Sequence, residues 1–250
     1  MSDRQNAAAR YLDGIVAELR AVLEQRSDQI EAASRLAADA IAQDRMIYVF
    51  GATHAGILAQ ELFYRAGGLA PISPIFPPGL TTDVRPVTLT SQMERLAGYA
   101  ELIINEVPIQ AGDLLLVISV SGRNTVAVEM AEQAKRRGVQ VIALTSLAYS
   151  RSVTSRAPSG QRLFEVADLV LDLGGRPGDA AVKLEGLAQA VSPTSTVIGA
   201  AMLNGWVART AEILLERGIE PPIFLSANLD AGDQHNQKLL QRYRDRLTYL

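Results

Sequence analysis

The 250-residue sequence contains no cysteine and two histidines, His54 and His235. Without a thiol, a disulfide framework, a cysteine nucleophile and a thiolate zinc site are all excluded. Two histidines cannot form a three-histidine metal site within one chain. No stretch approaches the ~18 consecutive apolar residues that a membrane helix needs, and the first residues lack the apolar segment of a signal peptide. The sequence therefore predicts a cytoplasmic protein with no membrane partner.

Basic side chains are also scarce, since 24 Lys and Arg stand against 27 Asp and Glu, for a net charge of −3. Nucleic-acid binding depends on clustered Lys and Arg, so nucleic acid is not predicted as a partner. Apolar residues, in contrast, make up 48% of the chain. A chain of this length and composition can bury a large core, which favours a folded protein of one or two domains.

Hydrophobic periodicity in the first part of the chain predicts helix, strand, helix and strand in that order. Apolar residues at three- and four-residue spacing predict helix to about residue 43, with a break near residues 27–28. The apolar run at 46–50 predicts a buried parallel strand, and the helix over 55–66 is expected to end at Gly67 and Gly68. A short strand at 70–75 precedes a helix with Ser91 and Glu94 as its capping box.

The second part of the chain repeats the alternation of strand and helix. Strands are predicted at 114–118, 139–144 and 165–173, a helix at 126–137, and a polar loop at 147–162. Ser192 as N-cap and Pro193 predict a long helix to about residue 217, and the last helix is expected from about Gln237 to Leu250. Such alternation implies an α/β fold with a parallel sheet between two helical layers. Residues 1–45 are interpreted as an N-terminal helical arm on a single domain formed by residues 46–250.

Two loops of small residues follow predicted strands, at 51–56 and at 119–125, and each directly precedes a helix. Ligands of parallel α/β sheets bind beyond the carboxyl ends of the strands. Small residues let backbone N–H groups approach an anion, and the helix N-terminus adds partial positive charge. The hydroxyls of Ser119, Ser121 and Thr125 would converge on one phosphate, with Ser146 closing the cup. The alternative interpretation is a plain strand-to-helix turn, while a Walker loop and a dinucleotide fingerprint are excluded.

The Ser-Val-Ser-Gly-Arg-Asn-Thr loop at 119–125, preceded by a Gly-x-Thr loop after the first strand, resembles the SIS (sugar isomerase) domain. Two further blocks, at 61–68 and at 226–236, resemble an uncharacterised bacterial group of single-SIS-domain proteins over nearly the whole chain. The resemblance implies a three-layer sandwich with a five-stranded parallel sheet, a homodimer or homotetramer, and a sugar phosphate as ligand. It places the phosphosugar on Gly51, Thr53, Ser119, Ser121, Gly122, Arg123, Asn124, Thr125 and Ser146.

Three residues are candidates for catalysis, because isomerisation of an aldose to a ketose needs a base and an acid. Glu61 lies ten residues after Gly51, where the phosphoheptose isomerases, a more distant resemblance, have a catalytic glutamate; its alternative role is that of a solvated helix residue. His54 would bond a sugar hydroxyl or shuttle a proton, or else bond the backbone of its turn. His235 would complete the site of a neighbouring subunit, or lie exposed beside Asp233 as the cap of the last helix.

Neither a metal nor another cofactor is predicted. Glu61, Asp230, Asp233 and His235 carry suitable ligand atoms for a divalent ion, but nothing in their spacing requires one. The basic side chains Arg151, Arg156 and Arg162 are interpreted either as contacts to an anionic substrate or as a solvated loop.

The function predicted from these features is that of a sugar-phosphate isomerase with a carboxylate base. A non-catalytic sugar-phosphate sensor and a sugar-phosphate lyase or etherase are the alternatives, since lyase chemistry also begins with proton abstraction beside a carbonyl. The chain departs from the pattern expected of the close group at Ala52 and Ala55, and at Pro77, which lacks an acidic neighbour. These departures keep binding without turnover as an open alternative.

Overall fold

The structure, a computed structural model, describes residues 6–230 and 232–249. Residues 1–5, Ala231 and Leu250, with the parts of the predictions that fall on them, lie outside the described residues. A five-stranded parallel sheet in the order β2-β1-β3-β4-β5 forms the centre of the fold. Its strands are β1 (Ile47–Gly51), β2 (Ile72–Ile75), β3 (Leu114–Ile118), β4 (Gln140–Thr145) and β5 (Leu169–Asp172).

Helices cover both faces of this sheet, which confirms the predicted three-layer α/β sandwich. They are α1 (Ala7–Gln25), α2 (Ser27–Ala42), α3 (Ala55–Leu62), α4 (Leu89–Met93), α5 (Tyr99–Asn105), α6 (Thr125–Arg136), α7 (Leu147–Arg151), α8 (Leu163–Val166), α9 (Ser195–Glu216), α10 (Gly232–Tyr243) and the 3₁₀ turn Arg244–Arg246. A separate antiparallel hairpin consists of β6 (Ala180–Val182) and β7 (Val191–Pro193). None of the described helices is both long and apolar enough to cross a membrane.

The sheet is buried on both faces because alternate residues of each strand point into different cores. Ile47 and Val49 face a core that they share with α1, α2, α3 and α9, in which Trp206 is fully buried. Tyr48 and Phe50 face the opposite core, formed with α5, α6, α8 and α10. The N-terminal helices therefore pack on the sheet as part of one helical layer.

Several predicted elements have different bounds in the structure. The helix predicted to end at 66 stops at Leu62, because the following segment pairs with a distant one: Gly67 N–H donates to Phe224 O at 2.8 Å and Ala70 N–H to Pro222 O at 2.8 Å. Ser91 lies inside α4 and forms no capping box with Glu94. The predicted break between the first two helices is confirmed at Arg26.

The structure also corrects the prediction in four places in the second half of the chain. The predicted loop at 147–162 contains α7, and α8 replaces the first residues of the strand predicted at 165–173. Pro193 belongs to β7, so α9 starts two residues later, at Ser195, with Thr194 at its N-cap. The last helix begins earlier than predicted, at Gly232, and ends at Tyr243.

Candidate functional site

A cavity of about 360 Å³ lies beyond the carboxyl ends of β1 and β3. The chain forms β2 on one side of β1 and then returns to form β3 on the other side, so the sheet order reverses between β1 and β3. In open α/β sheets this reversal leaves a crevice in which ligands bind. Gly51 pairs in register with Ile118, which brings the loops after the two strands next to each other. The two loops that the sequence predicts as a ligand site therefore meet here.

The loop after β1 packs closely on the start of α3. A Cβ added at Gly51 would lie 2.5 Å from the carbonyl oxygen of Ala55, so glycine is required for this approach. Thr53 has a positive φ of 54°, and its N–H donates to Leu80 O at 2.7 Å. Thr53 and His54 both line the cavity. His54 is exposed at the N-cap position of α3, where its side chain makes no capping hydrogen bond.

The loop after β3 presents donors to the same cavity. Ser119 and Ser121 line it, and their hydroxyls have no hydrogen-bond partner among the described residues. The backbone N–H groups of Thr125 and Ala127, at the start of α6, also have none within that part of the chain. Gly122 turns the loop at a φ of +58°, a conformation that favours glycine. Free hydroxyls and backbone N–H groups at a helix N-terminus are suited to binding an anion.

Other residues predicted to hold the phosphate have partners elsewhere. The hydroxyl of Thr125 donates to Arg156 O at 2.9 Å. The guanidinium of Arg123 donates to Thr154 Oγ1 at 3.4 Å, and Arg123 does not line the cavity. Ser146 Oγ accepts from the Tyr149 N–H at 3.2 Å as the N-cap of α7, and Ser146 lines a small adjoining pocket.

Glu61 and His235 lie outside the cavity of a single chain. Glu61, near the end of α3, forms an ion pair with Arg65 and accepts a hydrogen bond from Asn204 Nδ2 at 3.0 Å. His235 Nε2 lies 2.9 Å from Ile223 O. Asp233 lies within the first turn of α10, so it is not the N-cap that was predicted. One chain therefore does not bring Glu61, His54 and His235 together.

Glu94 lines the cavity, although the sequence pattern indicated only a helix cap for it. Its Oε2 accepts a hydrogen bond from Asn124 Nδ2, and Asn124 Oδ1 accepts from Arg156 Nη1 at 2.8 Å. Partial burial, together with the nearby cations Arg123 and Arg95, lowers the pKa of Arg156 from its usual value. Within the described residues Arg156 forms no hydrogen bond or ion pair with Glu94; the amide of Asn124 links the two side chains, whose charges also interact through space. The sequence held no signal for this contact, because Asn124 lies 30 residues away and no local pattern connects it with Glu94.

Asp179, on the hairpin, was also missed. It adopts a φ of +65° and lines the cavity together with Ser195. Its Oδ1 accepts from the N–H groups of Thr194 and Ser195 at 3.1 and 2.9 Å, and its Oδ2 accepts from Ser195 Oγ at 2.6 Å. These bonds cap the start of α9 and hold the hairpin at the cavity. Among residues 6–230 and 232–249, no group of three His, Asp or Glu side chains is arranged to hold a metal ion.

A model of the SIS domain matches residues 10–146 of this chain. A UPF0309 protein of Oceanobacillus iheyensis is 47% identical over 240 residues, which cover 96% of this chain and 98% of that protein. The chain therefore belongs to the SIS-domain proteins and, among them, to the UPF0309 family.

Two solved structures have a similar fold. The phosphoheptose isomerase of Neisseria gonorrhoeae matches with a TM-score of 0.55 at 15% identity, over 82% of this chain and 97% of that one. The Vibrio vulnificus NanR protein, solved in complex with ManNAc-6P, matches with a TM-score of 0.52 at 14% identity, over 95% of this chain and 70% of that one. At this level of identity the likeness establishes the common fold.

Proposed function

We propose that the protein binds a sugar phosphate in the cavity between β1 and β3 and interconverts its aldose and ketose forms. The observation that carries the proposal is the group of free donors at one end of that cavity. These donors are the hydroxyls of Ser119 and Ser121 and the N–H group of Ala127, all from residues that line the cavity, and the N–H group of Thr125, which is free at the start of the same helix but does not line the cavity. They define a cup of neutral donors at a helix N-terminus, which suits the phosphate of a small ligand.

The remaining lining fits the sugar part of such a ligand. A cavity of about 360 Å³ is at the lower end of the usual range for small-molecule sites. Thr53 and His54 offer a hydroxyl and an imidazole to the sugar hydroxyls, and His54 is the group that moves protons between the oxygens. The related folds of a phosphoheptose isomerase and of a protein solved with ManNAc-6P support a phosphosugar as the ligand class.

The roles predicted for Glu61 and His235 require a second copy of the chain. Neither residue lines the cavity of its own chain, so each acts in catalysis only where a neighbouring subunit places its cavity beside α3 or α10. The homodimer or homotetramer that the family resemblance implies would supply such a neighbour. In this proposal Gly51 and Gly122 give the two loops their backbone shape, and Asn124 presents its amide to the cavity. Arg123 and Ser146 support the phosphate-binding loop from outside the cavity.

A second candidate is a sensor that binds the sugar phosphate without converting it. Its support is the ion pair of Glu61 with Arg65, which occupies the carboxylate predicted as the base. Binding and turnover must therefore be measured separately.

Isothermal titration with ribulose 5-phosphate, fructose 6-phosphate and sedoheptulose 7-phosphate tests the proposal. We expect binding of at least one of them and a loss of at least about tenfold in affinity in the Ser119→Ala/Ser121→Ala double variant. A hydrogen bond to a charged group contributes about 1.5–3 kcal/mol, and about 1.4 kcal/mol corresponds to a factor of ten. Ser152→Ala, an exposed serine outside the cavity, is the matched control. The absence of binding with all of these sugar phosphates would contradict the proposal. Where binding is observed, proton NMR of the bound sugars separates the isomerase from the sensor.

A further inference from the structure

We infer that Glu94 is the carboxylate that moves the proton between neighbouring carbons of the sugar, an inference that rests on the proposed function. Within the described residues, the ionisable side chains that line the cavity are His54, Glu94 and Asp179. Proton abstraction from carbon beside a carbonyl needs a base within reach of the carbon chain. The three groups differ in which of their atoms are free to act.

Asp179 is occupied by its structural role. Both of its carboxylate oxygens accept hydrogen bonds from the start of α9, at 2.6 to 3.1 Å for the three shortest. Glu94 is held by one oxygen only. Its Oε2 accepts from Asn124 Nδ2, while its Oε1 has no partner in the described part of the chain. Glu94 is thus the cavity carboxylate with an oxygen available to receive a proton.

Glu94 is also fixed relative to the proposed phosphate cup. Its backbone oxygen accepts from the N–H of Val126 at 3.1 Å, in the first turn of α6. Its side chain is tied to Asn124, the N-cap residue of the same helix. The helix that presents the phosphate donors therefore also positions the carboxylate, and a ligand held by its phosphate has a defined distance to this group.

The charge around Glu94 differs from that around Glu61. Glu61 Oε1 forms a direct ion pair with Arg65 and also accepts a hydrogen bond from Asn204 Nδ2. Arg156 touches Glu94 only through Asn124, whose Oδ1 receives the guanidinium hydrogen bond at 2.8 Å. Arg156 orients the amide so that its nitrogen points to Glu94, and its charge also acts on the carboxylate through space. Within the described residues, however, no arginine forms an ion pair with Glu94.

The reaction step balances without a further reactant. Glu94 removes a proton from C1 of a ketose phosphate, the C1–H electron pair forms the C1=C2 bond, and the carbonyl electrons move to O2 as an enediolate. His54 moves the hydroxyl proton from O1 to O2. The electron pair on O1 then forms the C1=O1 bond of the aldose, the C1=C2 pair takes the proton from Glu94 at C2, and the carboxylate is regenerated.

The test measures exchange and binding in the same variants. Proton NMR in D₂O follows loss of the C1 proton signal of ribulose 5-phosphate, fructose 6-phosphate and sedoheptulose 7-phosphate, and titration calorimetry measures their binding. We expect Glu94→Gln to lose at least about 100-fold in exchange rate, the lower end for general base catalysis, with affinity within about threefold of the wild type. Glu94→Asp is expected to restore part of the rate, because a carboxylate is present again. Glu61→Gln is measured in parallel, and the exposed control Glu101→Gln, which lies outside the cavity, should exchange at the wild-type rate.

The outcomes separate this inference from the proposed function. Wild-type exchange in Glu94→Gln, or a loss of exchange confined to Glu61→Gln, would overturn the inference while the proposed function stands. Loss of exchange in Glu94→Gln with no recovery in Glu94→Asp, although both variants bind, would also overturn it, because the residue then acts through packing. Binding by the wild type without exchange overturns the inference and leaves only the binding half of the proposed function. No binding by the wild type overturns both.

Discussion

Replacing Gly51 by alanine tests how tightly the first loop of the site is built. Gly51 is the last residue of β1, and a Cβ there would lie 2.5 Å from the oxygen and 2.6 Å from the carbon of the Ala55 carbonyl. Both neighbours are backbone atoms, so no side-chain rotation relieves the overlap. Carbon atoms in contact are ordinarily about 3.5 Å apart. The start of α3, with His54, must therefore move away from the strand by roughly 1 Å, taking 3.5 Å as the ordinary contact.

This overlap gives an expected loss of stability of about 1–3 kcal/mol, the usual range for an overpacked site. For a chain of this size about 1 kcal/mol shifts the melting temperature by roughly 2–4 °C, so Gly51→Ala should lower it by roughly 2–12 °C in a calorimetric scan. Gly205→Ala is the matched control, because Gly205 lies inside α9 with no atom within 4 Å of a new Cβ. Alanine there should add about 0.5–1 kcal/mol of stability. Equal melting temperatures for Gly51→Ala and the wild type would refute the packing described here.

Three further substitutions have defined outcomes. Asp179→Ala should lower the free energy of unfolding, measured in urea, by about 1–2 kcal/mol, because the start of α9 loses its cap. Asp179→Asn should restore part of this stability. Asp113→Ala should lower the free energy of unfolding by about 3 kcal/mol, because this fully buried carboxylate accepts a hydrogen bond from the guanidinium of Arg246 at 2.5 Å. The same loss in a protein that already carries Arg246→Ala would contradict this pairing. Hydrogen bonding with Arg162 lowers the pKa of Glu165 to about 2, so its stabilisation is present above the unfolded pKa of about 4.3 and is lost as the pH falls towards 2. Glu165→Gln should therefore flatten acid unfolding in that window, and an unchanged curve would contradict it.

The strands of the main sheet were predictable because their signal is local. Runs such as Leu114–Ile118 are apolar at every position, and a parallel strand covered on both faces requires this pattern whatever its neighbours are. The β6–β7 hairpin gave no such signal, since each of its strands has 3 residues and is largely half-buried or exposed. The end of α3 was missed for a different reason. It depends on backbone pairing of Gly67 with Phe224, which lies far along the chain.

The position of the candidate site was predictable, but the direction of its side chains was not. Strand order places the loops at 51–56 and 119–125 together at one edge of the sheet, and their small residues indicate candidate ligand loops. Two features decide which side chains face the cavity. One is the turn at Gly122, and the other is the carbonyl oxygen of Arg156, which accepts a hydrogen bond from the hydroxyl of Thr125. Glu94 was interpreted through its spacing from Ser91, whereas its partner Asn124 lies 30 residues away. Local spacing rules do not detect such a contact.

The arrangement of helix ends around the cavity defines how a phosphosugar would be oriented in it. The starts of α3, α6 and α9 all contribute lining residues. At α9 the carboxylate of Asp179 already accepts hydrogen bonds from the N–H groups of Thr194 and Ser195, and its negative charge would repel a phosphate placed there. At α3 the N–H groups of Gly56 and Ile57 donate to carbonyls of their own turn, at 3.0 and 3.1 Å. The start of α6 keeps free N–H groups beside two free hydroxyls, so the proposed ligand would place its phosphate there and extend its carbon chain towards His54 and Glu94.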